Sequence, residues 1–285
     1  MKSMIQCHKS LSPAKLNLHL HVTGKSFHFH TLQMLNVVID FSDELIFEVS
    51  PVLFKHIKTM FNPNFEQIGK NNLITRAYNK YNDLYEDINA VNVSIIKKIP
   101  PGSGLGGGSS NAAQALIFFN TLWPKYTQED LLKVALDLGS DVPFFIYGKT
   151  SRVEGIGEMV SPIGIDLSGW WIVLVVPGIF LSTAEVFKKY DELIHYQHDY
   201  DFDAIRSFEN NLFPLHNDLI LPAISIQPLI ADLLYDIKKS GAVDASMSGS
   251  GSSCFGMYDK LDKAEKARDN LTKKYPLVRL VRIIS

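Results

Sequence analysis

The chain has little of what marks secreted, membrane-spanning or nucleic-acid-binding proteins. It holds only two cysteines, Cys7 and Cys254, in 285 residues, and a single bridge is an uncommon framework for a protein of this size. The N-terminus lacks the apolar core of a signal peptide, and the most apolar run, Trp170 to Leu181, is broken by Pro177-Gly178 and is too short to span a bilayer. We therefore expect a cytoplasmic protein with no membrane partner.

Neither sign of charge dominates. Lys and Arg number 28 and Asp and Glu 30, for a formal net charge of -2, whereas nucleic-acid binding usually needs a basic surface. We expect no nucleic-acid partner. Hydrophobic residues make up 46% of the chain, which is enough for one large core or two moderate ones. The sequence does not indicate an oligomeric state.

Glycine and serine are concentrated in the stretch Pro100-Pro101-Gly102-Ser103-Gly104-Leu105-Gly106-Gly107-Gly108-Ser109-Ser110. Glycine loses more backbone entropy on folding than any other residue, so this many glycines predict positive φ angles or the close approach of another group. The stretch then enters an alanine-rich segment near Ser109 or Ser110. Unpaired N–H groups and the positive end of a helix dipole would meet there, which is typical of a phosphate-binding site.

A flexible linker or an ordinary strand-to-helix turn is also rich in glycine. Linkers are long and repetitive, whereas this stretch begins with two prolines and carries a fixed apolar residue, Leu105. No Gly-Lys-Ser/Thr follows, so it is not the common P-loop. The pattern favours a phosphate loop of another kind.

Polar residues alternate with apolar ones from Lys15 to Val22. Leu16, Leu18 and Leu20 would face a core, while the opposite face carries Lys15, Asn17, His19 and His21. This pattern predicts a strand that forms the wall of a polar cavity, although an ordinary half-exposed strand would give the same alternation.

His28 and His30 follow, so four histidines lie within a dozen residues. Alternate positions on a strand can present paired imidazoles to a metal. No cysteine or acidic residue nearby in sequence completes a ligand set, and hydrogen bonding is a simpler use for these histidines. Metal ligands are left unassigned.

Capping patterns predict several helices. Asn71 or Asn72 precedes a helix through Leu84, Thr127 opens a helix that Gly139 ends, and Ser182 precedes a third. Asp141 follows Gly139 on a turn with Pro143 two residues later. An aspartate in such a turn commonly bonds its own backbone.

Other local patterns predict further elements. The run from Val91 to Ile96 indicates a strand that leads to Lys97, and Glu154–Glu158 is typical of a hairpin turn. Asn217 begins a linking stretch that leads to a helix near Leu229.

The glycine-rich stretch resembles the ATP-binding loop of the GHMP small-molecule kinases. Ser12-Pro13-Ala14-Lys15-Leu16-Asn17-Leu18 and the segment Ser248–Cys254 resemble two further motifs of that family, in the family's order. The resemblance covers nearly the whole chain and implies that the loop at Ser248–Ser253 packs against the glycine-rich stretch. It implies an α+β fold of two domains: residues 1–165, similar to domain 2 of ribosomal protein S5, and residues 166–285, similar to ferredoxin.

The resemblance implies an ATP-dependent kinase that uses Mg²⁺. Asp141 would be the catalytic base, and Lys15 would orient it. The residues implied in ATP binding are Pro101, Gly102, Ser103, Gly104, Leu105, Gly106, Gly107, Gly108, Ser109 and Ser110, with Lys97 and Asn72. Those implied in substrate binding are Asn17, Phe29, His30 and Phe187.

The implied substrate is a small molecule, a cytidine diphosphate-linked methylerythritol, phosphorylated on its 2-hydroxyl. Where the family reads Asp-Gly-Tyr-His, this chain reads Phe27-His28-Phe29-His30. Phe29 keeps the π face that would stack on cytosine but loses the tyrosine hydroxyl. Phe187 is either the second stacking aromatic or a core residue of an amphipathic helix.

Two alternatives stay open. One is another GHMP kinase, for homoserine, mevalonate or a sugar, and the other is a non-catalytic nucleotide-binding relative. The presence of both Lys15 and Asp141 weighs against a pure binding protein, because binding needs no base.

Overall fold

The computed structural model describes residues 6–26, 29–53, 56–63, 65, 72–82, 89–193 and 215–284. They form two compact units, each built from separated chain segments. The first unit comprises Met1–Ala14, Phe41–Pro101 and Gly106–Gly148, and the second comprises Lys15–Asp40, Gly102–Leu105 and Lys149–Ser285. The sequence boundary placed between residues 165 and 166 stays a prediction.

Two long strands contribute to both units: β1 (Gln6–Ser26) and β2 (Phe29–Leu53). In the first unit, β4 (Asn89–Ile96) pairs antiparallel with the later part of β2, with Leu45 opposite Ile95. On its other side β4 pairs parallel with β3 (Ile57–Phe61). The strand predicted from Val91 to Ile96 is therefore confirmed.

Four helices of the first unit pack together: α1 (Leu73–Asn82), α2 (Gly107–Leu122), α3 (Gln128–Leu138) and α4 (Val142–Tyr147). Aromatic rings fill the core, and Phe47 stacks on Phe118 with ring centroids 4.1 Å apart. The Thr127 side chain accepts a hydrogen bond from the Asp130 N–H at the start of α3, and Gly139 ends that helix. Both predicted helix ends are confirmed.

The second unit contains the earlier part of β2, whose residues Leu32 to Asn36 pair with β5 (Ser151–Gly155). Strand β5 turns back into β6 (Met159–Pro162), so the hairpin turn predicted at Glu154–Glu158 is confirmed. On the β1 side, a short strand β8 (His216–Asn217) pairs in parallel, with His19 opposite His216. This pairing brings together residues almost two hundred positions apart in sequence.

A second, antiparallel sheet has the order β11-β7-β10-β9. Its strands are β7 (Trp171–Val176), β9 (Asp244–Met247), β10 (Cys254–Tyr258) and β11 (Leu277–Val281). The helices among the described residues of this unit are α5 (Thr183–Leu193), α6 (Ile220–Ile226), α7 (Leu229–Lys239) and α8 (Leu261–Leu271). The succession of strands and helices is the βαββαβ pattern of ferredoxin-like folds, as the resemblance implied.

One feature of this unit differs from the sequence interpretation. The stretch from Asn217 to the helix near Leu229 was expected to be a linking segment, but it contains the end of β8 and all of α6. Helix α6 has seven residues, or about two turns, which is too short to show a helical period on its own. Within the described ranges, no helix has both the length and the apolar character needed to cross a membrane.

Candidate active site

The glycine-rich loop meets the loop at Ser248–Ser253 through close backbone contact. Gly104 has a φ of +78°, and a Cβ added there would lie 2.1 Å from the Ser248 carbonyl oxygen. The Ser248 hydroxyl donates to the Gly104 carbonyl (3.0 Å), and the Ser253 N–H donates to the Ser103 carbonyl (3.1 Å). Only glycine fits at position 104, and the expected packing of one loop on the other is confirmed.

The polar face of β1 is buried next to this contact. Lys15 and Asn17 are 4% and 0% exposed, so the half-exposed alternative is wrong. That this face forms the wall of a polar cavity stays a prediction. The Lys15 ammonium donates to Asn17 Oδ1 at 2.5 Å, and Asn17 Nδ2 donates to Asn36 Oδ1 at 2.7 Å. A Cβ on Gly249 would come within 3.6 Å of both Lys15 Nζ and Asn17 Oδ1. A lysine cation and an amide are therefore fixed beside the two glycine loops.

Helix α2 begins without a capping side chain. Its N-cap is Gly106, in the left-handed conformation with φ +68°, which makes no side-chain capping hydrogen bond. Gly107 lies so close to Ile99 and Lys97 that a Cβ would come within 2.7 Å of Ile99 Cγ2. Backbone N–H groups left without a cap at a helix start suit a phosphate, so this part of the loop fits the predicted anion.

Lys97 forms a buried ion pair with Asp43, and the two side chains are 3% and 0% exposed. The other oxygen of the Asp43 carboxylate accepts the N–H groups of Lys98 (2.7 Å) and Ile99 (2.9 Å). Asp43 thus holds the backbone that leads into the glycine loop. No sequence motif indicated Asp43, and the contact of Lys97 with nucleotide stays a prediction.

Asn72 is a helix cap. Its Oδ1 accepts the N–H groups of Ile74 (3.0 Å) and Thr75 (3.1 Å) at the start of α1, and its Nδ2 donates to the Thr59 hydroxyl. The capping interpretation is confirmed for Asn72, while Asn71 lies outside the described residues. A contact of Asn72 with ATP stays a prediction.

Asp141 stands at the start of α4, but its carboxylate does not cap that helix. The side chain is half-buried. The role of Asp141 as a catalytic base stays a prediction.

Phe187 and His30 are brought together on the second unit. Their rings stack with centroids 4.6 Å apart and planes 24° apart. Asp191 accepts from His30 Nε2 at 2.7 Å and from the Lys25 ammonium at 2.6 Å. Phe29 is 62% exposed. Sequence reasoning named Phe29, His30 and Phe187 but missed Asp191 and Lys25, and His28 lies outside the described residues.

A histidine cluster occupies the far end of the same β1 face. The rings of His19, His21 and His216 lie 4.7 to 5.1 Å apart by their centroids. The Asp218 carboxylate contacts His21 Nδ1 at 2.8 Å and His216 Nε2 at 2.6 Å, and it accepts the Val22 N–H at 2.8 Å. Burial disfavours the charged carboxylate, but these hydrogen bonds outweigh burial and hold the pKa of Asp218 well below its usual range.

Two family models match the chain. That of the GHMP kinases N terminal domain matches residues 72–149, and that of the GHMP kinases C terminal domain matches residues 201–277. The matches follow the order of the two predicted domains.

Named relatives match over almost the full chain. A 4-diphosphocytidyl-2-C-methyl-D-erythritol kinase of Thermoanaerobacter pseudethanolicus is 32% identical over 93% of this chain and 92% of its own length. The kinase of the same name from Clostridium botulinum is 34% identical over 96% of this chain and 99% of its own length. The kinase of the same name from Prochlorococcus marinus strain AS9601 is 36% identical over 90% of this chain and 87% of its own length.

Solved structures of kinases are also similar to this chain. A 4-(cytidine 5'-diphospho)-2C-methyl-D-erythritol kinase superposes with a TM-score of 0.79 at 28% identity, covering 96% of this chain and 99% of the other. A mevalonate kinase of L. major gives a TM-score of 0.69 at 15% identity, with 99% and 97% covered. The second likeness concerns the fold alone.

Proposed function

Because the chain belongs to the 4-diphosphocytidyl-2-C-methyl-D-erythritol kinases, a branch of the GHMP kinases, we propose that it transfers the γ-phosphoryl group of ATP to the 2-hydroxyl of 4-diphosphocytidyl-2-C-methyl-D-erythritol. This reaction belongs to the non-mevalonate route to isoprenoid precursors. The observation that carries the proposal is the pair of glycine loops, joined at Gly104 and Ser248 beside Lys15 and Asn17.

The chain's own groups fit a nucleotide. The start of α2 lacks a capping side chain, and the N–H groups of the loop from Pro101 to Ser110 would hold the phosphates. ATP would supply the phosphoryl group, and Mg²⁺, when bound, would offset the charge on it. Lys97 would add positive charge while Asp43 keeps its side chain in place, and Asn72 would lie near the base or ribose.

In the proposed reaction, Asp141 accepts the proton of the substrate hydroxyl. Asp141 stands at the start of α4, and a carboxylate can serve as a general base. Lys15 is a buried cation held by Asn17. A fixed positive charge favours the alkoxide that develops as the proton leaves.

Aromatic rings would recognise the cytidine group. Phe29 is exposed and has a ring face that can stack on a base. Phe187 would provide a second ring that stacks on the base, and a hydrogen bond to Asp191 orients His30, which stacks on Phe187. Asn17 would add a polar contact. We also place the protein in the cytoplasm, since Cys7 and Cys254 are both free thiols.

A substrate comparison tests the reaction. The purified chain is incubated with ATP and Mg²⁺ and with one acceptor at a time: the cytidine diphosphate substrate, its uridine analogue, methylerythritol, homoserine or mevalonate. We expect the cytidine substrate to give the highest kcat/KM and a product phosphorylated at the 2-hydroxyl, identified by NMR. Equal turnover of the uridine analogue or of methylerythritol would contradict the substrate assignment.

Replacing the base tests the mechanism. Asp141→Asn removes the proton acceptor while keeping shape, so kcat should fall roughly a hundred- to ten-thousand-fold with little change in the ATP dissociation constant. The matched control is Asp137→Asn, because Asp137 lies nearby in sequence on α3 and its side chain is 60% exposed. Full activity of Asp141→Asn would rule out the assigned role.

A further inference from the structure

The histidine cluster on β1 has the composition of a metal site. One ligand atom from each of His21, His216 and Asp218 lies within 4.8 Å of the other two. A tetrahedral Zn²⁺ with bonds of roughly 2.0–2.1 Å places its ligand atoms about 3.4 Å apart. Small side-chain rotations would therefore bring the three atoms to a common ion.

The chemistry of the donors selects the kind of ion. Two imidazoles and one carboxylate suit Zn²⁺ and its neighbours among the divalent transition metals, whereas Mg²⁺ prefers oxygen ligands. The carboxylate already accepts hydrogen bonds from both imidazoles and from the Val22 N–H. An ion would take the place of the two imidazole protons between the rings and the carboxylate.

The surrounding structure fixes the ligands. His216 is held by the pairing of β8 with β1, in register with His19. Asn217 lies between His216 and Asp218 in the chain, and its side-chain amide donates to the carbonyls of Met247 (2.7 Å) and Gly249 (2.8 Å). These bonds hold the backbone between His216 and Asp218 in place. The His216 side chain is 36% exposed while that of His21 is 5% exposed, so the cluster is open to solvent on one side.

We propose that His21, His216 and Asp218 bind one divalent transition-metal ion, with Zn²⁺ the best match. The third imidazole, His19, packs against both ligand rings, and a water would complete the coordination. The ion is structural: it ties β8 to β1 and, through Asn217, steadies the loop that begins at Ser248. This inference does not depend on the proposed kinase reaction.

Metal binding is measured directly on the full chain with any affinity tag removed. The protein is stripped with a chelator, desalted, loaded with Zn²⁺ and desalted again, and bound zinc is counted by elemental analysis. Isothermal titration gives the affinity, and Co²⁺ in place of Zn²⁺ reports tetrahedral geometry by its visible absorption. We expect one ion per chain and a higher Tm with Zn²⁺ present.

Two variants and a control decide whether the cluster holds the ion. His216→Gln and Asp218→Asn each change a ligand, and each should weaken Zn²⁺ binding by more than about 100-fold. Loss of a residue that only hydrogen-bonds a metal ligand already weakens binding by up to about 100-fold. His8→Gln removes an exposed histidine elsewhere on β1 and should leave binding unchanged. Circular dichroism checks that His216→Gln is folded. Failure of the parent chain to retain zinc, or equal retention by His216→Gln, would overturn the proposal.

Discussion

Strand β1 carries two different polar sites on one face. At its earlier end, Lys15 and Asn17 bond each other and lie beside Gly249 of the second glycine loop. Two residues further, His19 and His21 contact each other and the His216 and Asp218 side chains. All four of these β1 residues are at most 4% exposed, so burial does not distinguish the two ends.

The difference lies in what the rest of the chain places opposite each end. The Lys15 end lies against the backbone of the glycine-rich loops and carries a lysine, which suits an anionic ligand. The His21 end meets a carboxylate and a further imidazole, which suits a cation. Alternation along a strand therefore predicts which residues share a face but not the charge of the ligand that the face binds.

Lys15→Met should produce the largest loss of activity, and it should distinguish the Lys15 end of β1 from the His21 end. Loss of a fixed cation at a developing negative charge costs on the order of a hundred- to a thousandfold in kcat. Zinc bound per chain should stay unchanged, because His21 contacts different partners. Lys9→Met, on the same strand with a side chain 69% exposed, serves as the control. Loss of zinc together with activity would show that the two ends act as one site.

Gly104→Ala should give a smaller effect, confined to the Lys15 end. The added methyl group would lie 2.1 Å from the Ser248 carbonyl in a backbone with positive φ, so the two glycine loops must separate. We expect the free energy of unfolding to drop by about 1–3 kcal/mol and the KM for ATP to rise at least roughly tenfold. Urea unfolding and steady-state kinetics measure the two quantities.

The control for that variant is Gly164→Ala, since a Cβ at Gly164 meets nothing within 4 Å. It should leave both stability and the KM for ATP near those of the parent chain. An unchanged KM in Gly104→Ala would mean that the joined loops do not shape the nucleotide site.

Phe29→Ala should have the smallest effect. The ring is 62% exposed, so its loss should not affect folding, and one stacking contact accounts for about 0.5–1.5 kcal/mol, or roughly a two- to tenfold rise in the KM for the cytidine substrate. Phe29→Tyr keeps the stacking face and should keep a low KM. Equal KM values for the parent chain and Phe29→Ala would remove Phe29 from the substrate site.

Local patterns predicted much of the fold. The capping residues Thr127 and Asn72, the stop at Gly139 and the strand before Lys97 are where the sequence places them, because caps, turns and periodicity act within a few residues. The prediction of a linking stretch before Leu229 was wrong, because this part of the chain contains α6. That helix is short, and its helical period does not stand out from the sequence. The roles of Asp141, Lys97 and Asn72 in catalysis or binding remain predictions.

The sequence by itself determined the glycine loop, the alternating face of β1 and the family, because these are recorded in neighbouring residues. Only the tertiary structure decided that Asp43 pairs with Lys97, that Ser248 forbids a side chain at Gly104, and that Asp218 joins the β1 histidines. Those partners come from chain segments far apart in sequence. No local pattern encodes such a meeting, since it follows from strand pairing and from the burial of charges that must find a counter-group.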